Sequence, residues 1–301
     1  MHSLQLLAKN GIYRLIMLEK LEQHLYQKVF PLKPPELVYH YTTQKGILGI
    51  IKNQEMWATQ IHFLNDKNEI FLAFKLLNNE LVKRFNAAVH PDYKEFLQSI
   101  IDYLATMDHG HICIASFCEV GDLLSQWRGY GNLGKGYALG FDLKKLTKLA
   151  KKHSFVFWPC IYDPILQQEL VNYLIDNWCQ KFYGSKIPPK DMFKSIDIDV
   201  CQLAPIIKDE SFNEEQEWRL ISSIVTDDLP RFDFREGQYS LIPYYNFPIT
   251  DPDTGHCINK IVVGPSPHVE LAKNSLRNFL NSQRMSKTQI EISKIPFRNW
   301  K

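Results

Sequence analysis

Apolar positions recur along this chain at two periods, 3.6 and 2, and the switches between them mark out its elements. Over residues 4–30, Leu15, Leu18, Leu21, Leu25 and Val29 fall at helical spacing, interrupted at Gly11, until "PLKPPE" stops the pattern. The stretch predicts a helical arm whose apolar stripe docks on the body or mediates self-association. "LVYHYTT" then has the β-branched and aromatic content of a strand, and Thr43 stands where it can cap the helix "QKGILGIIKNQ". "EMWAT" returns as a short strand.

Two amphipathic helices follow, over 68–89 and 92–106, separated at Pro91. The strand-like runs "HICIASF" and "GYALGFDL" flank "DLLSQWRGYGNLGKG", which reads as a short helix and a glycine-rich loop. "FVFWPCIY" predicts another strand, and residues 165–182 and 191–208 predict helices around an "IPP" break. Later strands are "EWRLISSIV", "YSLIPYY", "KIVVGP" and "QIEISKI", with a helix over 268–282 between the last two. The elements lack a regular βαβ rhythm, so the fold class is α+β. The expected organisation is an arm at 1–30 and a single α+β domain over 36–301, with helical insertions at 68–106 and 165–208.

Composition narrows the function classes. The hydrophobic share of 45% and charged share of 23% are those of a globular chain with a substantial core. A net charge of +2 with scattered Lys and Arg leaves nucleic acid a possible partner that charge does not indicate. The densest basic set, Lys273, Arg277, Arg284 and Lys287, fits a solvated helix face. Six cysteines without a C-x-x-C spacing describe neither a disulfide framework nor a zinc ribbon. Lys9, Arg14, Glu19 and Lys20 break the N-terminal apolar runs, and no span reaches the roughly 20 apolar residues of a membrane helix. These features predict a cytoplasmic protein without membrane attachment.

Several motifs bear on chemistry. Gly129, Gly131 and Gly134 spell G-x-G-x-x-G, and "GYGNLGK" approaches a P-loop, but a helix precedes the loop and a strand follows it. Both phosphate-binding patterns need the reverse order. What remains is a loop whose amides and Lys135 could meet an anion, bordered by Trp127, Arg128, Tyr130 and Tyr137. His109, His111 and Cys113 lie on alternate positions, without the second cluster that a metal site needs, and no metal is expected. In "NEEQEWRLI", Glu215, Glu217 and Arg219 share one side of a strand, while Trp218 and Leu220 point to the core. Glu217 and Arg219 pairing on an exposed face is one reading; a polar cleft wall is the other.

The motifs "YHYTT" with "GILGIIKNQEMWAT" and "LNDKNE", "SFCEVGDLLSQWRGYG" with "GKGYALGFD", "NEEQEWRLI", and "INKIVVGP" together resemble the bacterial domain-of-unknown-function 2971 family over roughly residues 36–270. Lys67 and Cys118 depart from the family's usual Pro and Ser. A more distant similarity is to ADP-ribosyltransferase folds, carried by the strand with His-Tyr-Thr, the helix after it, and "EWRLI". That resemblance implies a split mixed or antiparallel β-sheet core and a cleft for NAD, which would be the substrate. It implies Glu217 as the catalytic carboxylate, with Glu215 and Arg219 beside it. His40, Tyr41, Thr42, Asn65, Asp66, Trp127, Arg128, Tyr130 and Lys135 are the expected binding residues.

The expected function is an NAD-consuming enzyme, transferring ADP-ribose to an unknown macromolecular acceptor or hydrolysing the dinucleotide, in the manner of a bacterial toxin or phage-defence effector. The alternatives are a metal-dependent nuclease or phosphoesterase, with Asp209, Glu214, Glu215 and Glu217 sharing magnesium, and a non-catalytic nucleotide-sensing module. The dinucleotide reading requires His40 and Glu217 to face one groove.

Overall fold

The computed structural model describes residues 33–64, 69–107, 112–131, 135–223 and 230–296. The N-terminal arm, Asn65, Asp66, His109 and His111 lie outside the described residues. Residues 36–301 form one compact unit.

Strand β1 (Leu37–Thr42) leads into helix α1 (Gln44–Asn53), whose first turn is closed by Thr43 accepting the Gly46 amide. Gln54 ends that helix in the left-handed region, and β2 (Glu55–Gln60) follows. Helices α2 (Glu69–Ala87) and α3 (Pro91–Thr106) come next, the second starting on Pro91, where a missing N–H costs nothing. Strand β3 (Cys113–Cys118), the short helix α4 (Leu124–Gly129), β4 (Tyr137–Asp142) and β5 (Phe155–Pro159) follow the predicted order, and helix α5 (Leu143–Lys152), which the sequence reading did not predict, stands between β4 and β5.

Helix α6 (Pro164–Phe182) also begins on a proline, capped by Asp163. Helix α7 (Pro189–Leu203) stops five residues before the predicted end at 208. Pro205 has no amide to continue the ladder, so Ala204–Ile206 tighten into a 3-10 turn and Ile207 runs extended beside Ile161. A further 3-10 turn, Glu210–Glu215, delivers the chain to β6 (Glu217–Ser222) through Gln216 at φ 41°. Strand β7 (Phe232–Glu236), which the periodicity did not predict, forms a hairpin with β8 (Leu241–Pro248). The two-residue strands β9 (Thr250–Asp251) and β10 (Gly255–His256), then β11 (Ile258–Val263), α8 (Val269–Ser282) and β12 (Gln289–Ile292), complete the fold.

The architecture is mixed α+β around a sheet of ten described strands. One path runs β12-β11-β4-β1-β3-β2-β8-β7, and β6 pairs with β3 and β5. The pairing is antiparallel except between β11 and β12. Strand β3 gives one set of pairings to β6, while β2 meets it at Cys113–Ile114 and β1 at Cys118.

Register fixes the two faces, because residues paired across an antiparallel ladder project to the same side. Tyr39 pairs with Cys118, Cys118 with Glu217, and Ser116 with Arg219. One face therefore carries Tyr39, Tyr41, Ser116, Cys118, Glu217 and Arg219. The other carries His40, Phe117, Trp218 and Leu220. On that second face Phe117 meets Phe141 and Phe157 edge-on at 5.3 and 5.2 Å, and Trp218 lies 5.5 Å from Phe157. This aromatic core holds β3, β4, β5 and β6 rigidly together.

Candidate functional site

Strand β6 is buried at every position, which overturns the reading of an exposed face. The Ala204–Ile206 turn packs against β6 on the side where Glu217 (6% exposed) and Arg219 (2%) project. An ion in such a place must be paired and hydrogen-bonded. Arg219 Nε donates to Glu217 Oε1 at 2.8 Å and Nη2 to Oε2 at 3.0 Å, while Nη1 donates to the Pro205 carbonyl at 2.6 Å. Lys208, itself buried, donates from Nζ to Glu217 Oε2 at 2.6 Å and to Glu215 Oε2 at 2.5 Å. The result is two cations and two carboxylates at the base of a cleft.

Burial alone would raise the Glu217 carboxyl, but Arg219 and Lys208 together bring it down to about 2. The group is ionised at any physiological pH and has no proton to give. Its strand is equally fixed: the Glu217 amide donates to Tyr162 Oη at 3.0 Å and its carbonyl accepts from the Cys160 amide at 2.8 Å.

The cleft has a volume of about 810 Å³. Ser116, Lys208, Glu215, Glu217 and Arg219 line it together, and Phe71 and Lys75 of α2, Phe212 and Tyr130 add to the wall. Phe71 is 68% exposed, and Tyr130 and Phe212 are also exposed. The Lys208 ammonium lies 5.1 Å from the centre of the Phe212 ring. Flat apolar rings beside buried fixed charges make a site suited to a ligand with an aromatic part and a polar part.

Of the residues expected from sequence, the cleft unites Glu217, Glu215, Arg219 and Tyr130. It does not include His40. That ring projects from the opposite face, 5.8 Å from Phe117, and its Nδ1–H donates to the Ser116 carbonyl at 2.9 Å. Burial pushes its pKa below the usual histidine range, with the Ser116 hydrogen bond opposing. Tyr41 and Trp127 are packed edge to face at 4.7 Å inside the protein. The Tyr41 hydroxyl donates to the Val120 carbonyl and accepts the Leu123 amide, and Trp127 Nε1 donates to Asp122. Thr42 is half-buried against α1, and Arg128 and Lys135 are exposed; none of the three lines the cleft.

The carboxylates expected to share a metal are engaged by protein donors instead. Asp209 accepts from Ser211, Glu214 from Ser125, and Glu215 and Glu217 both hold Lys208. Among the described residues no three His, Cys, Asp or Glu are grouped closely enough to hold a metal ion. No described helix is long and apolar enough to cross a membrane.

Sequence reasoning missed Lys208, Ser116, Phe71, Lys75 and Phe212. Phe71 left a trace: Ile70, Ala73, Leu77 and Leu81 form the buried stripe of α2, and Phe71 is an aromatic off that stripe. Lys208 left little, since "IIKDE" reads as a lysine leaving a helix for solvent.

No curated protein and no solved structure matches the chain. Residues 126–220, which run from α4 into β6 and include Lys208, Glu215, Glu217 and Arg219, match the family described as Protein of unknown function (DUF2971), the family its motifs resemble.

Proposed function

We propose that the cleft binds a nucleotide of the NAD type and that Glu217 promotes cleavage of the bond between nicotinamide and ribose, with ADP-ribose passing to a macromolecular acceptor or to water. The observation carrying this reading is a carboxylate held ionised on a rigid buried strand at the base of an open, aromatic-rimmed cleft. Cleaving a glycosidic bond builds positive charge on the sugar, and a fixed anion stabilises that charge more in the transition state than before it. O-glycosides also require an acid to protonate the leaving oxygen. Nicotinamide bonded to ribose is already a cation and departs neutral, so a carboxylate that cannot donate a proton suits an N-glycoside of this kind.

The division of the β3 pairings between β1 and β2 supports the likeness to the split sheet of ADP-ribosyltransferase folds. The requirement that His40 and Glu217 face one groove is not met, since His40 projects from the opposite face of the sheet; the proposal drops that pairing and rests on the Glu217 carboxylate and the aromatic-rimmed cleft alone. Lys208, Lys75 and the rings of Tyr130, Phe71 and Phe212 take over the binding role.

The test is nicotinamide release from NAD, with water or candidate acceptors present. Wild type should release it, and Glu217→Gln should lose at least about 100-fold, the scale of removing one fixed electrostatic group. A second reading, a nucleotide sensor without turnover, is favoured by one observation: cations already occupy both oxygens of Glu217. Calorimetric binding of NAD with no release by wild type under any condition would sink the enzymatic reading and leave the sensor.

A further inference from the structure

We propose that Lys208 is the phosphate-binding cation of the cleft and that Glu215 occupies its anion position until a ligand's phosphate displaces it. The inference rests on the reading that the cleft takes a nucleotide, and it adds a competitor built into the chain.

The two carboxylates on Lys208 are not equivalent. Glu217 stands in a strand with its side chain 7% exposed, and Arg219 holds both of its oxygens. Glu215 is the last residue of a 3-10 turn, with its side chain 24% exposed, and its Oε2 accepts from Lys208 Nζ at 2.5 Å. A carboxylate that reaches solvent and leans on one cation is the replaceable one.

The lysine stays in place without it. The Lys208 amide donates to the Ile161 carbonyl at 3.1 Å, and its own carbonyl accepts from Gln167 Nε2 at 2.7 Å. Glu217 still holds the ammonium from the other side. Turning Glu215 outward therefore empties an anion position beside a buried, pre-placed cation.

Charge bookkeeping agrees in sign: with Glu215 turned away, Lys75, Lys208 and Arg219 exceed Asp209 and Glu217 by one charge among the described residues that line the cleft. A terminal phosphate supplies one to two negative charges and several acceptor oxygens, so it replaces the carboxylate with charge to match. Asp209, also at the cleft, points its Oδ1 at Ser211. Glu215 thus sets a threshold: ligands lacking a phosphate leave it seated, and those carrying one displace it.

The experiment is calorimetric titration of the full chain with ADP, inorganic pyrophosphate and adenosine, using wild type, Glu215→Gln and Lys208→Met, with melting curves to establish folding. Glu215→Gln should bind ADP and pyrophosphate about fivefold more tightly, since an ion-pair competitor of roughly 1 kcal/mol has been removed. Its adenosine affinity should be unchanged, and Lys208→Met should lose the phosphate-dependent part. Equal or weaker ADP binding by folded Glu215→Gln would overturn the assignment, whether or not Lys208→Met folds. Nicotinamide release measured on the same samples separates the two ideas. Release by wild type without tighter ADP binding in Glu215→Gln overturns the anion site alone. Tighter binding with no release from any sample upholds the anion site and overturns the glycosidic reading alone.

Discussion

Lys208→Met keeps most of the side-chain volume and removes a buried charge, so its effect on stability is chiefly electrostatic. In the folded protein the Glu217 carboxyl lies at about 2 against an ordinary 4.5; burial opposes that lowering, and Arg219 and then Lys208 produce it. A difference of this size corresponds to roughly 3 kcal/mol of preference for the ionised form in the folded state. Breaking one partner from a buried ion pair costs about 3–5 kcal/mol, and Arg219 remains to hold Glu217, so a loss of about 2–4 kcal/mol is expected.

Urea unfolding at neutral pH reads that loss directly. The acid limb gives an independent check. Because the folded-state value is lowered, the stabilisation from Glu217 is complete above about pH 4.5 and disappears as pH falls toward 2. In Lys208→Met the Glu217 carboxyl is lowered less, so the loss should still start near pH 4.5 but be smaller and be complete at a higher pH. Adding Glu215→Gln should restore part of the stability, since one uncompensated carboxylate is then gone. A change under about 0.5 kcal/mol with an unmoved acid limb would refute the reasoning, because that is the scale of an exposed pair.

Asp199 gives a prediction of opposite sign. It is buried, and burial pushes its carboxyl up to about 6, against the lowering effects of Trp178 Nε1 at 2.9 Å and of Lys181. A raised carboxyl favours the fold below about pH 3.8 and loses that benefit as pH climbs through 6, so Asp199→Asn should gain about 1–2 kcal/mol at pH 7.5 and flatten the intervening decline in urea stability. Destabilisation at pH 7.5 would contradict it. Two glycines offer a contrast by thermal melting. A Cβ on Gly136 would sit 2.4 Å from the Thr42 carbonyl oxygen and 2.8 Å from Gly131 Cα, both backbone atoms, so Gly136→Ala should cost at least about 2 kcal/mol. Gly49 lies within α1 with nothing inside 4 Å of a new Cβ, and Gly49→Ala should gain about 0.5–1 kcal/mol.

Local chemistry made most elements legible. Thr43 announced a cap and closes one; Pro91 marked the break between two helices and opens the second; alternation in "EWRLI" set Trp218 and Leu220 against Glu217 and Arg219, as the strand does. Errors fell where pattern and tertiary context disagree. The apolar run through "LAPII" continued a helical period that Pro205 ends. In "FDFRE", β7 has no fully buried residue and gains its strand geometry from pairing with β8.

The chain's local preferences decided which side chains share a strand face, because that follows from the two-residue pleat within each segment. They put Glu217 with Arg219, and His40 opposite Tyr39 and Tyr41. Only long-range register decided that Tyr39 sits beside Cys118 and Cys118 beside Glu217, which turns His40 away from the acid. Only packing decided that a lysine nine positions upstream would enter the same cleft, because the environment of a charge depends on which surfaces close over it, and those surfaces come from distant parts of the chain.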